Sequence, residues 1–219
     1  MIEAVIKCGG SLTRGDALPV LCRHLAEFGR QHRLLLVPGG GPFADAVREA
    51  DCSYRLGNDS AHWMAILAMD QYGYLLSDLI PHSRPVRSLQ DANEIAPAGR
   101  VPVLLPFDLL RHADPLPHDW AVTSDSISAW IAVAAKASRL VLLKDVDGLY
   151  EAIHPSGGDG NILEMLTVEQ LSRCEGVDPF LASFLRGNPL DLWIINGKEP
   201  DRLGELLLKG KTRGTHLRQ

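Results

Sequence analysis

Apolar residues along this chain gather in short runs separated by longer amphipathic stretches. Continuous runs at Ala4–Cys8, Leu34–Val37, Val101–Leu105, Leu140–Leu143 and Asp191–Ile195 predict strands covered on both faces, as a parallel sheet requires. Between them, helical patterning predicts Ala17–Gln31, Phe43–Ala50, Ala61–Leu76, Ser126–Ala137 and Arg202–Lys209. Pro42 suits the start of the second helix and Gly210 the end of the last, while Gly73 is expected to weaken the third near its end. Asp125 and its neighbouring serine are placed to cap the fourth. Strands alternating with helices define an α/β protein with a mainly parallel sheet. Pro97–Pro102 and the polar, glycine-containing loop His154–Asn161 read as irregular, and neither is long enough for a domain linker. A single domain over 1–219 with two lobes is the simpler organisation.

Composition narrows the function. The 46% hydrophobic share suits a globular core, and a net charge of −5 argues against a general nucleic-acid or anionic-lipid footprint. No apolar run reaches the roughly 18 residues of a membrane span. The start lacks a signal-peptide pattern. Cys8, Cys22, Cys52 and Cys174 are scattered without a C-x-x-C pair, which suits reduced thiols in a cytoplasmic protein.

Two glycine clusters carry the strongest chemistry. In Val5-Ile6-Lys7-Cys8-Gly9-Gly10-Ser11-Leu12 a strand ends in lysine, two glycines and a serine. Without Cβ atoms, such amides can face an anion closely, and Lys7 adds a point charge. Taken alone, a plain strand-to-helix turn is an equal reading. Leu34-Leu35-Leu36-Val37-Pro38-Gly39-Gly40-Gly41-Pro42-Phe43 repeats the arrangement. Two such nests at the C-terminal ends of strands lie where α/β sheets bind ligands. A P-loop is excluded because Asp16 stands where lysine is required after Gly10 and Gly15. Gly39, Gly41 and Ala44 fit a dinucleotide fingerprint, yet no acidic-ended strand follows about 20 residues on, so an oxidoreductase is a minor alternative.

Two aspartate segments complete the pattern: Thr123-Ser124-Asp125-Ser126 before a helix, and Leu140-Val141-Leu142-Leu143-Lys144-Asp145-Val146-Asp147-Gly148-Leu149-Tyr150 running from a strand into a turn. Singly, Asp125 is equally a cap and Asp147-Gly148 equally a turn. In this order, and with Gly214-Thr215 near the end, the segments resemble the amino-acid-kinase superfamily over nearly the whole chain. Ser60-Ala61-His62-Trp63-Met64-Ala65-Ile66, Met69-Asp70-Gln71-Tyr72-Gly73 and Val177-Asp178-Pro179-Phe180 narrow the resemblance. They are similar to segments of the small archaeal and methylotroph kinases of methanofuran biosynthesis, which convert an aminomethyl-furanmethyl phosphate to its diphosphate.

The resemblance implies a three-layer αβα sandwich, ATP and Mg2+ as cofactors, a small anionic acceptor and a homo-oligomer. It implies an acceptor-binding lobe over about 1–120 and an ATP-binding lobe over about 121–219. By the same resemblance, Lys7 with Gly9, Gly10 and Ser11 cradles the transferring phosphoryl group, and Gly39, Gly40 and Gly41 hold the acceptor's anionic end. Asp125 orients the lysines, Thr123 borders the acceptor, and Asp145, Asp147, Gly148 and Tyr150 shape the nucleotide side. Many members carry a late Gly-Gly-Met-x-x-Lys, whereas this chain reads Gly176-Val177-Asp178-Pro179-Phe180-Leu181 without lysine. Lys144 is expected to take over part of that charge, against the alternative of a surface lysine at a strand end. Asp45 stands near a position that is histidine in isopentenyl phosphate kinases, which suits an acceptor carrying an amine, although a first-turn acid also complements the helix dipole. His62 and Trp63 begin a helix that borders the acceptor in the family, and Trp63 is otherwise a core residue. Asp70, in an apolar run, needs a cation, a polar network or the ligand. A kinase for UMP, carbamate or an amino-acid carboxylate, and a nucleotide-binding protein without catalysis, remain the alternatives.

Overall fold

A computed structural model describes residues 1–150 and 162–218, so the loop expected at His154–Asn161 lies outside the described residues. The chain runs β1 (Ala4–Cys8), α1 (Ala17–Gly29), β2 (Leu34–Pro38), α2 (Gly41–Tyr54), α3 (Asn58–Leu79), β3 (Arg84–Val86), α4 (Leu89–Ile95), β4 (Pro102–Leu104) and α5 (Phe107–Ala113). It continues as α6 (Ser124–Ala134), β5 (Arg139–Lys144), β6 (Met165–Leu166), α7 (Val168–Leu171), α8 (Pro179–Gly187), β7 (Asp191–Asn196), α9 (Asp201–Lys209) and β8 (Thr215–Leu217). The strands form one eight-stranded sheet in the order β3-β4-β2-β1-β5-β7-β8-β6. Among the described strands every pairing is parallel except β7 with β8.

Period-two alternation divides the core into two layers. Val5, Leu35, Val37, Leu140, Leu142 and Ile194 join one layer with Ile127 and Ile131 of α6 and Leu181 and Leu185 of α8. Ile6, Cys8, Leu36, Val141, Leu143 and Ile195 face the other, where α1 contributes Leu21 and Leu25 and α9 contributes Leu203 and Leu206. Helices thus cover both faces of the sheet, giving the expected αβα sandwich. The long α3 contributes Ile66 and Met69 to the first layer and Tyr72 and Leu76 to the second.

All five expected strands are present. The unexpected β3, β6 and β8 are three residues or fewer, too short to show a period. Gly73 does not weaken α3, which continues to Leu79. A Cβ at Gly73 would lie 2.8 Å from Leu105 Cδ2 and 3.3 Å from Pro38 Cγ, so its absence lets the helix press onto the sheet. Helix α6 begins at Ser124 with Thr123 as its N-cap, which places Ser124 and Asp125 inside the first turn rather than before it. The unexpected α8 starts with Pro179 after Asp178, whose side chain caps it by accepting from Leu181 N.

Candidate active site

Strand register builds the centre of the site. In the β1–β5 pairing Lys7 stands opposite Leu142, so Lys144, two residues further along β5, projects to the same face as Lys7. That face is covered by α6, whose first turn carries Asp125. The three side chains meet: Lys7 Nζ donates to Asp125 Oδ1 at 2.8 Å and Lys144 Nζ to Asp125 Oδ2 at 2.8 Å. Lys7 and Asp125 are buried and Lys144 nearly so. Burial alone would push the Asp125 carboxyl up, but the two ammonium groups reverse this and hold it well below the usual carboxylate range. Lys144 is pulled down by burial and by the charge of Lys7, against the opposing pull of Asp125.

The two glycine loops meet beside this cluster. Gly9 N donates to Leu143 O at 2.9 Å and Gly39 N to Cys8 O at 2.8 Å, which ties both loops to strand ends. A Cβ on Gly10 would fall 2.4 Å from Gly41 N, backbone on backbone, and Gly41 adopts a positive φ of 56°. Side chains are therefore excluded where the loops cross. Gly40, the N-cap of α2, offers no side chain to the helix start, so the first-turn amides are not claimed by their own cap. Beneath them, the fully buried Tyr72 hydroxyl donates to Gly9 O at 3.4 Å and stands 3.6 Å from Cys8 Sγ. Burial pushes the Cys8 thiol up to about 11, which makes it a packing residue.

From this crossing a cavity of about 330 Å³ opens between α2, α3 and the start of α6. Gly10, Ser11, Gly40, Gly41, Asp45, His62 and Thr123 line it, as do Arg14, Arg48, Asn58, Asp119 and Trp120, which the sequence reading did not single out. Asp45 is paired with Arg48 at 3.0 Å, one helical turn on. The Arg48 guanidinium in turn stacks 5.0 Å over the Trp120 ring, whose Nε1 donates to Asp51 at 2.7 Å. The segment 114–122 thus straps α5 to α6 along the cavity wall.

His118 fastens that strap: its ring nitrogens lie 2.6 Å from Asp59 Oδ1 and 2.8 Å from Asp114 Oδ1. Hydrogen bonds to these two carboxylates raise its pKa. His62 stacks on it at 4.0 Å and is pushed down to about 4 by burial and by His118. His62, Asp114 and His118 are close enough to suggest a metal site. The parallel stacking and the carboxylates on both His118 nitrogens instead describe an imidazolium clamp. Both oxygens of Asp125 are likewise engaged by lysines.

Three expected acceptor residues lie outside the cavity lining: Gly39, whose amide is bonded to Cys8 O, Trp63 and Asp70. Trp63 packs edge-on to Phe107 at 6.0 Å under the Arg111 guanidinium and against the core, because its helical phase points away from the glycine loops. Asp70 accepts from Phe107 N at 3.1 Å at the start of α5, and burial raises it to about 6. On the β5 side, Asp145 is bonded by Ser11, which joins it to the first glycine loop and lowers its pKa. Asp147 is committed to Arg202 at 2.9 Å, Arg213 at 3.1 Å and Asn196 at 2.8 Å. Gly148 packs against Thr215, whose hydroxyl accepts from Leu149 N, and Tyr150 bridges to Ile162. These contacts fasten the β5 turn to the first glycine loop, to β7 and α9, and to β8, while the Tyr150 side chain is exposed.

A lysine-lined, double-glycine crossing on this sheet defines a phosphotransferase, and residues 3–188 match the model of the amino acid kinase family. The chain belongs to that family and is a kinase. It is 29% identical over 205 residues to the [5-(aminomethyl)furan-3-yl]methyl phosphate kinase of Methanocaldococcus jannaschii, covering 93% of this chain and 92% of that one. It is 23% identical to a uridylate kinase of Thermococcus kodakarensis, over 91% of this chain and 90% of the relative. Among solved structures, uridylate kinase from Archaeoglobus fulgidus superposes with a TM-score of 0.76 at 19% identity, over 99% of this chain and 100% of that one. UMP kinase from Ureaplasma parvum gives 0.75 at 17% identity, over 100% and 99%.

Proposed function

We propose that this kinase passes the γ-phosphoryl group of ATP to a small monophosphate bearing an amine, aminomethyl-furanmethyl phosphate, giving its diphosphate for a methanofuran-type cofactor. The observation that carries the transfer chemistry is the pair of lysines held on one buried carboxylate beside two crossed glycine loops. The likeness to the Methanocaldococcus jannaschii enzyme over nearly both full lengths supports the acceptor.

Phosphoryl transfer depends on alignment and on neutralising charge spread over the phosphoryl oxygens. Lys7 and Lys144 supply two ammonium groups and the Gly9–Gly10 loop supplies amides, with Asp125 fixing the lysines' spacing. Bound with the nucleotide, Mg2+ would supply further charge neutralisation. The acceptor phosphate is already ionised, so no general base is needed. The amides at Gly40 and Gly41, with Arg14, suit its phosphate end, and Asp45 and Asp119 on the cavity wall suit its ammonium.

In this reading the acceptor occupies the lobe of residues 1–120 and ATP the lobe of 121–219. The enzyme works in the cytoplasm as a homo-oligomer; no helix of the described residues is long and apolar enough to cross a membrane. Exposed Met64, Leu67, Tyr74 and Leu75 along α3 support self-association. The test is ADP release with ATP and Mg2+ across a panel holding this monophosphate, UMP, carbamate and amino-acid carboxylates. Faster turnover of any other acceptor would refute the assignment.

A further inference from the structure

Where many family members carry a late glycine-rich segment with its lysine, this chain places a buried carboxylate. Asp178 is only 6% exposed and accepts hydrogen bonds from two helix starts at once. Its Oδ2 accepts from Thr123 N at 3.0 Å, Thr123 Oγ1 at 3.0 Å and Ser126 N at 2.8 Å. Its Oδ1 accepts from Leu181 N at 3.0 Å and from Ser126 Oγ in a short contact. The residues gripped on α6 flank Asp125 on both sides. One side chain therefore fixes the turn that presents the lysine-bridging carboxylate, and it does so from α8, which is otherwise remote in the chain.

A helix cap requires one or two such bonds. Asp178 makes three bonds beyond its own helix to the segment Thr123–Ser126, and a further short one from Ser126 Oγ. It also lies close enough to matter electrostatically. The charge of Asp125 raises Asp178, after burial the largest influence on it, and the charge of Asp178 helps Lys144 keep its proton. Lys144 thus feels two carboxylates, Asp125 in contact with it and Asp178 as a smaller influence.

We propose that Asp178 is a positioning residue for phosphoryl transfer: it locks the Thr123–Ser126 turn so that Asp125 holds Lys7 and Lys144 at their working separation. The inference rests on the reading of Lys7, Asp125 and Lys144 as the transfer centre.

The test compares wild type, Lys7→Ala, Asp178→Asn and Ser126→Ala by steady-state kinetics against pH, with melting temperature measured alongside. Asp178→Asn is expected to lower kcat about ten- to a hundredfold with little change in KM for ATP. The alkaline limb of its kcat profile should move to lower pH, because Lys144 loses the support of a negative charge. Ser126→Ala keeps that charge, so its limb should stay in place while kcat falls about two- to tenfold. An Asp178→Asn enzyme that melts earlier yet keeps both wild-type kcat and the wild-type limb would overturn the inference and leave a structural cap. If that variant does not fold, Ser126→Ala decides: reduced kcat with its alkaline limb unmoved supports positioning, and unchanged kcat contradicts it. Retained turnover in Lys7→Ala would instead overturn the underlying reading of the centre.

Discussion

Lys144 and Lys7, which stand on neighbouring parallel strands, share the two oxygens of Asp125 at equal distances of 2.8 Å. The arrangement sets two positive charges side by side at a fixed spacing, a geometry that an unpaired pair of ammonium groups could not keep in a buried site.

If Lys144 supplies transition-state charge, Lys144→Ala should lower kcat about a hundred- to a thousandfold while KM for the acceptor changes little. Steady-state kinetics checks this. Wild-type turnover in Lys144→Ala beside an inactive Lys7→Ala would remove Lys144 from the chemistry.

Asp125 should also matter for stability. Asp125→Ala leaves two buried ammonium groups uncompensated, a loss of about 3–5 kcal/mol readable by chemical denaturation. Because its folded-state pKa lies below the ordinary value of 3.8, the carboxylate's contribution is present above that pH and fades as pH falls below it. Stability in the wild type should therefore drop on acidification below about pH 4, and Asp125→Ala should lack that component.

Much of this site is visible in the chain because it is local. Lys7 and both glycine clusters sit next to the strands that position them, and the strands announce themselves as apolar runs. The meeting of Lys7 with Asp125, 118 residues away, depends instead on the register of β1 against β5, which no local pattern encodes. For Trp63 and Asp70 the sequence left core packing and a polar network beside an acceptor contact, and the structure shows the packing and the bond to Phe107 N. Helix α3 passes from one core layer to the other, so a side chain's facing cannot be taken from its spacing alone. Asp45 shows a third limit: its partner Arg48 is adjacent in helical phase, but only the cavity reveals that both line it. The Asp178-Pro179 pair does signal a helix start, whereas the grip of Asp178 on α6 depends on tertiary packing.

Acceptor binding should depend on pH through the His118 clamp. Its raised pKa means the bonds to Asp59 and Asp114 are fully present below about 6.5, the unfolded value, and weaken as pH climbs through the higher folded value. KM for the acceptor should rise over that range as the strap loosens. In His118→Gln, KM should be higher at low pH and should lose this pH-linked rise.

The cavity-wall carboxylates should discriminate acceptors by charge. Asp119→Asn and Asp45→Asn are each expected to raise KM for an amine-bearing monophosphate about five- to fiftyfold, and to leave an amine-free analogue unaffected. The smaller effect is expected at Asp45, because Arg48 already neutralises part of its charge. Equal effects on both acceptors would assign these residues to folding.

The proposed reaction is phosphoryl transfer to a monophosphate bearing an amine. It is tested most directly by comparing kcat/KM for aminomethyl-furanmethyl phosphate and for UMP under identical ATP and Mg2+, with the diphosphate product identified by mass. The furan monophosphate should be preferred by at least about a hundredfold, the discrimination expected from one well-placed charge pair together with shape. Comparable or greater turnover of UMP would contradict it.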